Sequence, residues 1–89
     1  MDKAPRILGA KALADKRLEI TFANGIIKEY DCKAIIARPE FFLLRDDVFF
    51  RNVKVDSGGY GIFWNDDIDL SEYEVRINGV EVHRRSKAA

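Results

Sequence analysis

The chain has 89 residues, enough for one domain, and its 15 basic and 15 acidic side chains give a formal net charge of zero. A balanced charge gives no general attraction to nucleic acids or anionic membranes, so binding of that kind would need a local patch. Cys32 is the only cysteine, which excludes an intramolecular disulfide and a cysteine-rich zinc site. With neither a long apolar run nor a signal-peptide layout, we expect a cytoplasmic protein.

The first two predicted strands occupy residues 6–14 and 17–22. The first is an apolar, extended stretch that ends at a turn near Asp15 and Lys16. The second alternates apolar and polar residues, which is typical of a strand with one buried face. Its expected core-facing residues are Leu18, Ile20 and Phe22.

A hairpin is predicted immediately afterwards, at Asn24 and Gly25. These residue types tolerate the positive φ that tight hairpin turns require, and a strand-like pattern resumes over residues 26–31. We therefore expect Gly25 at positive φ, with residues 17–22 paired to residues 26–31.

The pattern then changes to short helices. Residues 33–37 predict a helical turn, and a second short helix is expected to begin at Pro39 or Glu40, because proline fits the first turn of a helix. Alternation resumes over residues 49–56, which predicts a strand that pairs with residues 60–64.

The C-terminal part is ambiguous. Residues 73–82 alternate around Asn78 and Gly79, as a last hairpin would. However, Ser71 to Glu74 has a capping-box pattern, which predicts a short helix that ends at Gly79.

These elements predict a single α+β domain over residues 1–82, followed by a basic and flexible tail over residues 83–89. The domain is expected to contain an antiparallel sheet of four to five strands, built from hairpins, with short helices on one face. Nucleic acid is not an expected partner, except for weak and salt-sensitive contact through the tail. No membrane association is expected.

The stretch "WNDDIDLS" concentrates acidic side chains after the only tryptophan. A calcium loop needs glycine at its sixth position and glutamate at its twelfth, and no register here fits. We therefore expect Asp66 and Asp67 to shape turns, Asp69 or Ser71 to cap the next element, and Trp64 to lie at the core. No metal or other cofactor is expected.

Catalytic residues are also not expected. A nucleophile needs a base within hydrogen-bonding reach, and nothing in the sequence brings His83, the only histidine, to Cys32. The segment Ser57-Gly58-Gly59 lacks the lysine and the following helix of a phosphate-binding loop. We therefore expect a protein that is not an enzyme.

Residues 41–50, "FFLLRDDVFF", form the most informative segment. A domain of this size has one core, and adjacent phenylalanines in a strand point to opposite faces, so some rings should approach the surface. An exposed aromatic patch marks an interface. The expected partner-binding residues are Phe41, Phe42, Phe49 and Phe50; the alternative is that the short helices fold over all of these rings.

Several short motifs, taken in order, resemble one bacterial family. They are Pro5-Arg6 at the start of a strand, Phe22 with Asn24-Gly25 in a hairpin, Tyr30-Asp31, Leu44 and Asp46 before Phe50, "VKVD" leading to Trp64, and Asp69-Leu70-Ser71. Together they cover about residues 5–75 and resemble the family catalogued as domain of unknown function 2442. The chain departs from that family at residues 65–67, where Asn-Asp-Asp replaces the usual Pro-Asn-Gly.

The resemblance implies a small α+β fold without enzymatic activity, and it favours a helix over residues 72–78. Members of the family are often single short chains, and several resemble the antitoxin half of toxin–antitoxin pairs. The function expected from the resemblance is therefore that of an antitoxin-like or regulatory partner of another small protein, or of a self-associating module. The alternative is a module that binds a small ligand in a pocket between sheet and helices.

Overall fold

The computed structural model describes residues 4–83, which form an α+β domain. The strands are β1 (Ile7–Ala12), β2 (Arg17–Phe22), β3 (Ile27–Asp31), β4 (Lys54–Val55), β5 (Gly61–Asn65), β6 (Ile68–Ser71) and β7 (Val80–Glu81). The helices are α1 (Lys33–Ile36), a 3-10 helix (Pro39–Arg45), α2 (Asp47–Arg51) and α3 (Glu72–Asn78), and a 3-10 turn (Ala14–Lys16) joins β1 to β2. The predicted α+β class is confirmed. The strands are divided between a four-stranded sheet, β1-β2-β3-β7, and a three-stranded sheet, β4-β5-β6.

The hairpin between β2 and β3 has the predicted antiparallel register, with Arg17 opposite Asp31 and Thr21 opposite Ile27. Gly25 has a φ of +88°, in the left-handed region that this tight turn requires. The Asn24 carboxamide oxygen accepts a hydrogen bond from the backbone N–H two residues later, at 3.0 Å. The loop is therefore closed by its own side chain as well as by the strand ladder.

The turn between β1 and β2 is anchored to the helical layer. Asp15 and Lys16 both have positive φ, at 63° and 59°, which is uncommon for residues other than glycine. The Lys16 ammonium donates hydrogen bonds to the Arg45 carbonyl, at 3.0 Å, and to the Asp47 carboxylate. Lys33 donates to the Asp15 carbonyl at 2.9 Å. These contacts hold the turn against the helices and stabilise its unusual backbone.

The predicted strand over residues 49–56 is wrong in its first half, because Asp47–Arg51 is the helix α2. Asp46 caps this helix: its carboxylate accepts a hydrogen bond from the Val48 backbone N–H at 3.1 Å. Only Lys54–Val55 forms a strand, which pairs with β5 as expected. The alternation through Phe49, Val53 and Val55 was misleading, since the residue that the helix buries is Phe50.

The capping box correctly predicts the helix near the C-terminus. The Ser71 hydroxyl accepts a hydrogen bond from the Glu74 backbone N–H at 3.0 Å, and α3 ends before Gly79. The residues after Gly79 form β7, which pairs with β3 through Val80 opposite Glu29. The last hairpin of the alternative interpretation does not form, because its first strand is this helix.

The core lies between the sheets and the helical layer. It contains the three expected residues of β2 together with Ile7, Tyr30, Cys32, Ile35, Leu44, Phe50, Ile62, Trp64, Ile68, Leu70 and Val75. No helix within residues 4–83 is long and apolar enough to cross a membrane. Of the predicted basic tail, only His83 is described, and residues 84–89 lie outside the described part of the chain.

Candidate interaction surface

The four phenylalanines of residues 41–50 are distributed unequally between core and surface. Phe50 is buried, with only 2% of its surface exposed, so it is not available to a partner in this fold. Phe41 and Phe49 are partly buried and pack against the core. Phe42 is 58% exposed. The segment therefore contains both core and surface aromatics, and the prediction that Phe50 contacts a partner is corrected.

The 3-10 geometry explains which residues point outward. In a 3-10 helix, residues three apart share one side. Phe41 and Leu44 therefore share the inner side, where Leu44 is fully buried. Phe42 and Arg45 share the outer side, and the Arg45 guanidinium carbon lies 5.1 Å from the centre of the Phe42 ring. This distance is within the range of a cation–π interaction.

Leu43 extends the exposed apolar area, since 45% of its surface is open to solvent. Phe42, Leu43 and Arg45 are called here the Phe42 surface. Val48, on the neighbouring helix α2, is also exposed. A solvent-exposed ring beside a leucine and an arginine combines residue types that recur at the centres of interfaces.

The acidic side chains near the Phe42 surface are already engaged. Glu40 forms an ion pair with Arg38 at 3.6 Å, and Asp47 forms one with Lys16. The hydrogen bond from the Lys16 ammonium, with its charge, holds the pKa of Asp47 below the usual range. Arg45, by contrast, has no ion pair with any residue between 4 and 83. The Phe42 surface therefore presents a guanidinium that forms no ion pair within residues 4–83.

The acidic loop between β5 and β6 is shaped by Asn65 rather than by the two aspartates that were expected to do so. The Asn65 side-chain oxygen accepts hydrogen bonds from the backbone N–H groups of Asp67, at 2.8 Å, and Ile68, at 2.9 Å. The Asp66 and Asp67 side chains are exposed. Asp69 is exposed on β6 and does not cap the following helix, which Ser71 does.

Substitutions in this loop should show whether Asn65, or instead Asp66 and Asp67, stabilises the turn. Asn65→Ala should lower the free energy of unfolding by about 1–2 kcal/mol, because two backbone donors lose their side-chain acceptor. Asp66→Ala and Asp67→Ala, the matched controls, should each change it by about 0.5 kcal/mol or less. Urea denaturation of the three variants measures the difference. A larger loss at Asp66 or Asp67 than at Asn65 would contradict this account of the turn.

Comparison with known protein families supports the motif resemblance. The family model described as "Protein of unknown function (DUF2442)" matches residues 7–75, which is more than half of the chain. The chain belongs to the DUF2442 family. Neither a curated protein nor a solved structure matches the chain. The DUF2442 match spans β1 to the middle of α3 and includes the whole Phe42 surface.

Cys32 and His83, the two side chains considered for nucleophilic catalysis, lie in different environments in this DUF2442 chain. Cys32 is fully buried, and burial raises the pKa of its thiol to about 12. His83 is exposed beyond the last strand. Within residues 4–83 no cluster of three or more histidine, cysteine, aspartate or glutamate side chains is placed to hold a metal ion.

One open cleft of about 590 Å³ lies between the β1–β2 turn and α2. Lys16, Asp47, Phe50 and Arg51 contribute to its wall. No local pattern in the sequence indicates this cleft, because the cleft depends on how the turn and the helix pack. It lies between the first sheet and the helices, where the ligand-binding alternative places a pocket.

Proposed function

We propose that this chain is a non-catalytic protein-interaction module and that the Phe42 surface is its binding site. In this proposal the chain serves as the antitoxin-like or regulatory partner of another small protein, or binds a copy of itself. The exposed Phe42 ring, with the Arg45 guanidinium carbon 5.1 Å from its centre, is the observation that carries the proposal.

The energetic argument concerns what the ring could contribute on binding. A large aromatic side chain that becomes fully buried at the centre of an interface can contribute about 2 kcal/mol or more, and arginine is enriched beside such residues. The 3-10 helix is held in place by buried Leu44 and by the bond from Lys16 to the Arg45 carbonyl. The ring is therefore presented from an ordered element, which lowers the entropy lost on binding.

Replacement of Phe42 by serine is expected to weaken complex formation by about tenfold or more, because the anchor of the interface is lost. Folding should be retained, since the side chain is mostly exposed. Sedimentation measures self-association. Capture of a partner is measured with the chain immobilised on a support. Thermal melts of the same samples report folding.

Tyr73 provides a matched control for this substitution. It is 63% exposed on α3, and the Arg76 guanidinium carbon lies 5.6 Å from its ring centre. Tyr73→Ser should leave binding unchanged, because only the Phe42 surface is proposed to contact the partner. Equal losses in the two variants, or no loss in Phe42→Ser, would show that the binding site lies elsewhere.

Binding of a small ligand is the second candidate function, and the cleft beside Lys16 is the observation that favours it. Its wall has two cationic residues, Lys16 and Arg51, and two anionic residues, Asp15 and Asp47, near the buried Phe50 ring. This candidate is favoured if the protein stays monomeric, captures no partner and melts at a higher temperature when a small molecule is added. A ligand that binds only the native state must stabilise that state.

A further inference from the structure

A second cleft, of about 410 Å³, lies along the β5–β6 hairpin and has the opposite character to the Phe42 surface. Of its apolar lining residues, Ile62 is fully buried and Leu70 nearly so, and the accessible apolar surface comes from the half-buried Phe63 ring. Tyr60, which is 62% exposed, also lines it. The cleft therefore offers apolar and aromatic surface to an incoming side chain.

The charged residues that line this cleft are all acidic: Asp56, Asp66 and Asp69. The Asp56 carboxylate is occupied by backbone donors, namely the N–H groups of Gly58 at 3.1 Å and Tyr60 at 2.9 Å. No hydrogen bond or ion pair within residues 4–83 engages the carboxylates of Asp66 and Asp69. These two charges are therefore available to a cation from outside the domain.

The two surfaces are complementary in both polarity and charge. The Phe42 surface projects a ring and an unpaired guanidinium, and the cleft combines an apolar lining with two unpaired carboxylates. We infer that Phe42 of one copy inserts into the β5–β6 cleft of a second copy, with Arg45 pairing with Asp66 and Asp69. This inference rests on the proposed function, because it names the partner of the same surface.

The overall charge of the chain is compatible with this arrangement. The formal net charge is zero, so two copies do not repel each other at long range, and the local charges can orient the encounter. The Phe42 surface lies on the 3-10 helix and the cleft on the β5–β6 hairpin, so each contact joins different elements of the two copies. Such a contact occurs twice in a two-fold dimer or repeats along a longer assembly.

Charge reversal on either side should disrupt the assembly. Sedimentation of the wild-type chain should show association that weakens as salt is raised, because exposed ion pairs are screened. Arg45→Glu alone, and the double variant Asp66→Lys with Asp69→Lys, should each weaken association by about tenfold or more, since like charges are then brought together. Thermal melts should show that both variants remain folded, because the altered side chains are exposed.

Mixing the two variants provides the decisive measurement. An equimolar mixture of Arg45→Glu with the double-lysine variant should associate again, because each contact between unlike copies then joins opposite charges. Lys11→Glu on β1 and Glu81→Lys on β7 are matched controls, since both residues are exposed and form no ion pair within the described part of the chain. Neither control should change association.

The outcomes separate this inference from the proposed function. A wild-type chain that stays monomeric, or variants whose mixture does not recover association, would overturn the inference. If Phe42→Ser abolishes binding while the charge reversals do not, the Phe42 surface is the binding site but the acidic cleft is not its partner. If Phe42→Ser leaves self-association intact, the inference is wrong, and if capture of another protein is also intact, the proposed binding site is wrong as well.

Discussion

Replacement of Phe50 by alanine is expected to lower the free energy of unfolding by about 3–5 kcal/mol, the usual cost of removing a buried aromatic ring. Phe50 is almost fully buried and stacks on Trp64, with the ring centres 6.1 Å apart. The Trp64 indole N–H also donates a 2.8 Å hydrogen bond to the Phe50 carbonyl. The substitution leaves a cavity at the junction of α2 with the second sheet, and a small domain has little stability to spare.

Phe42→Ala is the matched control, because it removes the same side chain from the same segment. Its ring is mostly exposed, so the expected loss is about 1 kcal/mol or less. Urea denaturation of the two variants measures both values. If the two substitutions cost the same, the assignment of Phe50 to the core and Phe42 to the surface is incorrect.

Replacement of Gly59 by alanine is expected to lower the free energy of unfolding by about 2–4 kcal/mol. The substitution combines an unfavourable positive φ with a steric clash. Gly59 has a φ of +76°, and a Cβ atom would lie 2.7 Å from the Ile7 carbonyl oxygen. The Gly59 carbonyl also accepts a 2.8 Å hydrogen bond from the Ile7 N–H, which links β1 to the loop before β5. Relief of the clash would therefore disturb a junction between the two sheets.

Gly25→Ala isolates the conformational penalty. Gly25 has a similar φ of +88°, but a Cβ atom there would meet no other atom within 4 Å. Gly25→Ala should lower the free energy of unfolding by about 1 kcal/mol. Gly25→Val should lower it further, because a β-branched side chain tolerates positive φ poorly. Equal costs for alanine at Gly25 and Gly59 would show that the contact with Ile7 relaxes easily.

The sequence alone predicted an element correctly wherever the local preference of its residues agreed with the tertiary structure. Alternation over residues 17–22, with Asn24 and Gly25 after it, correctly predicted a hairpin and its register. The Ser71 cap likewise predicted α3. These signals depend on the backbone preferences and hydrogen bonds of a few neighbouring residues, so they need no knowledge of the rest of the chain.

The tertiary structure alone decided the roles of individual side chains. Residues 49–51 belong to the helix Asp47–Arg51 although a strand was predicted over residues 49–56, because the Asp46 cap and the packing of Phe50 on Trp64 favour the helix. In the acidic loop, Asn65 rather than Asp66 forms the turn. Both outcomes depend on which side chain reaches a given backbone group after folding.

For the candidate site, too, the sequence predicted the segment and the tertiary structure decided the individual residue. The sequence alone indicated that residues 41–50 contain more aromatic surface than one core can bury. It could not select Phe42, because exposure depends on the 3-10 geometry that directs Leu44 inward and Phe42 outward. The ion pairing around the Phe42 surface was equally hidden, since Asp47 is engaged by Lys16 from a distant turn and Arg45 forms no ion pair within residues 4–83. Composition thus indicated a surface aromatic, with burial of all four rings as the alternative, whereas long-range packing determined that Phe42 is the exposed ring.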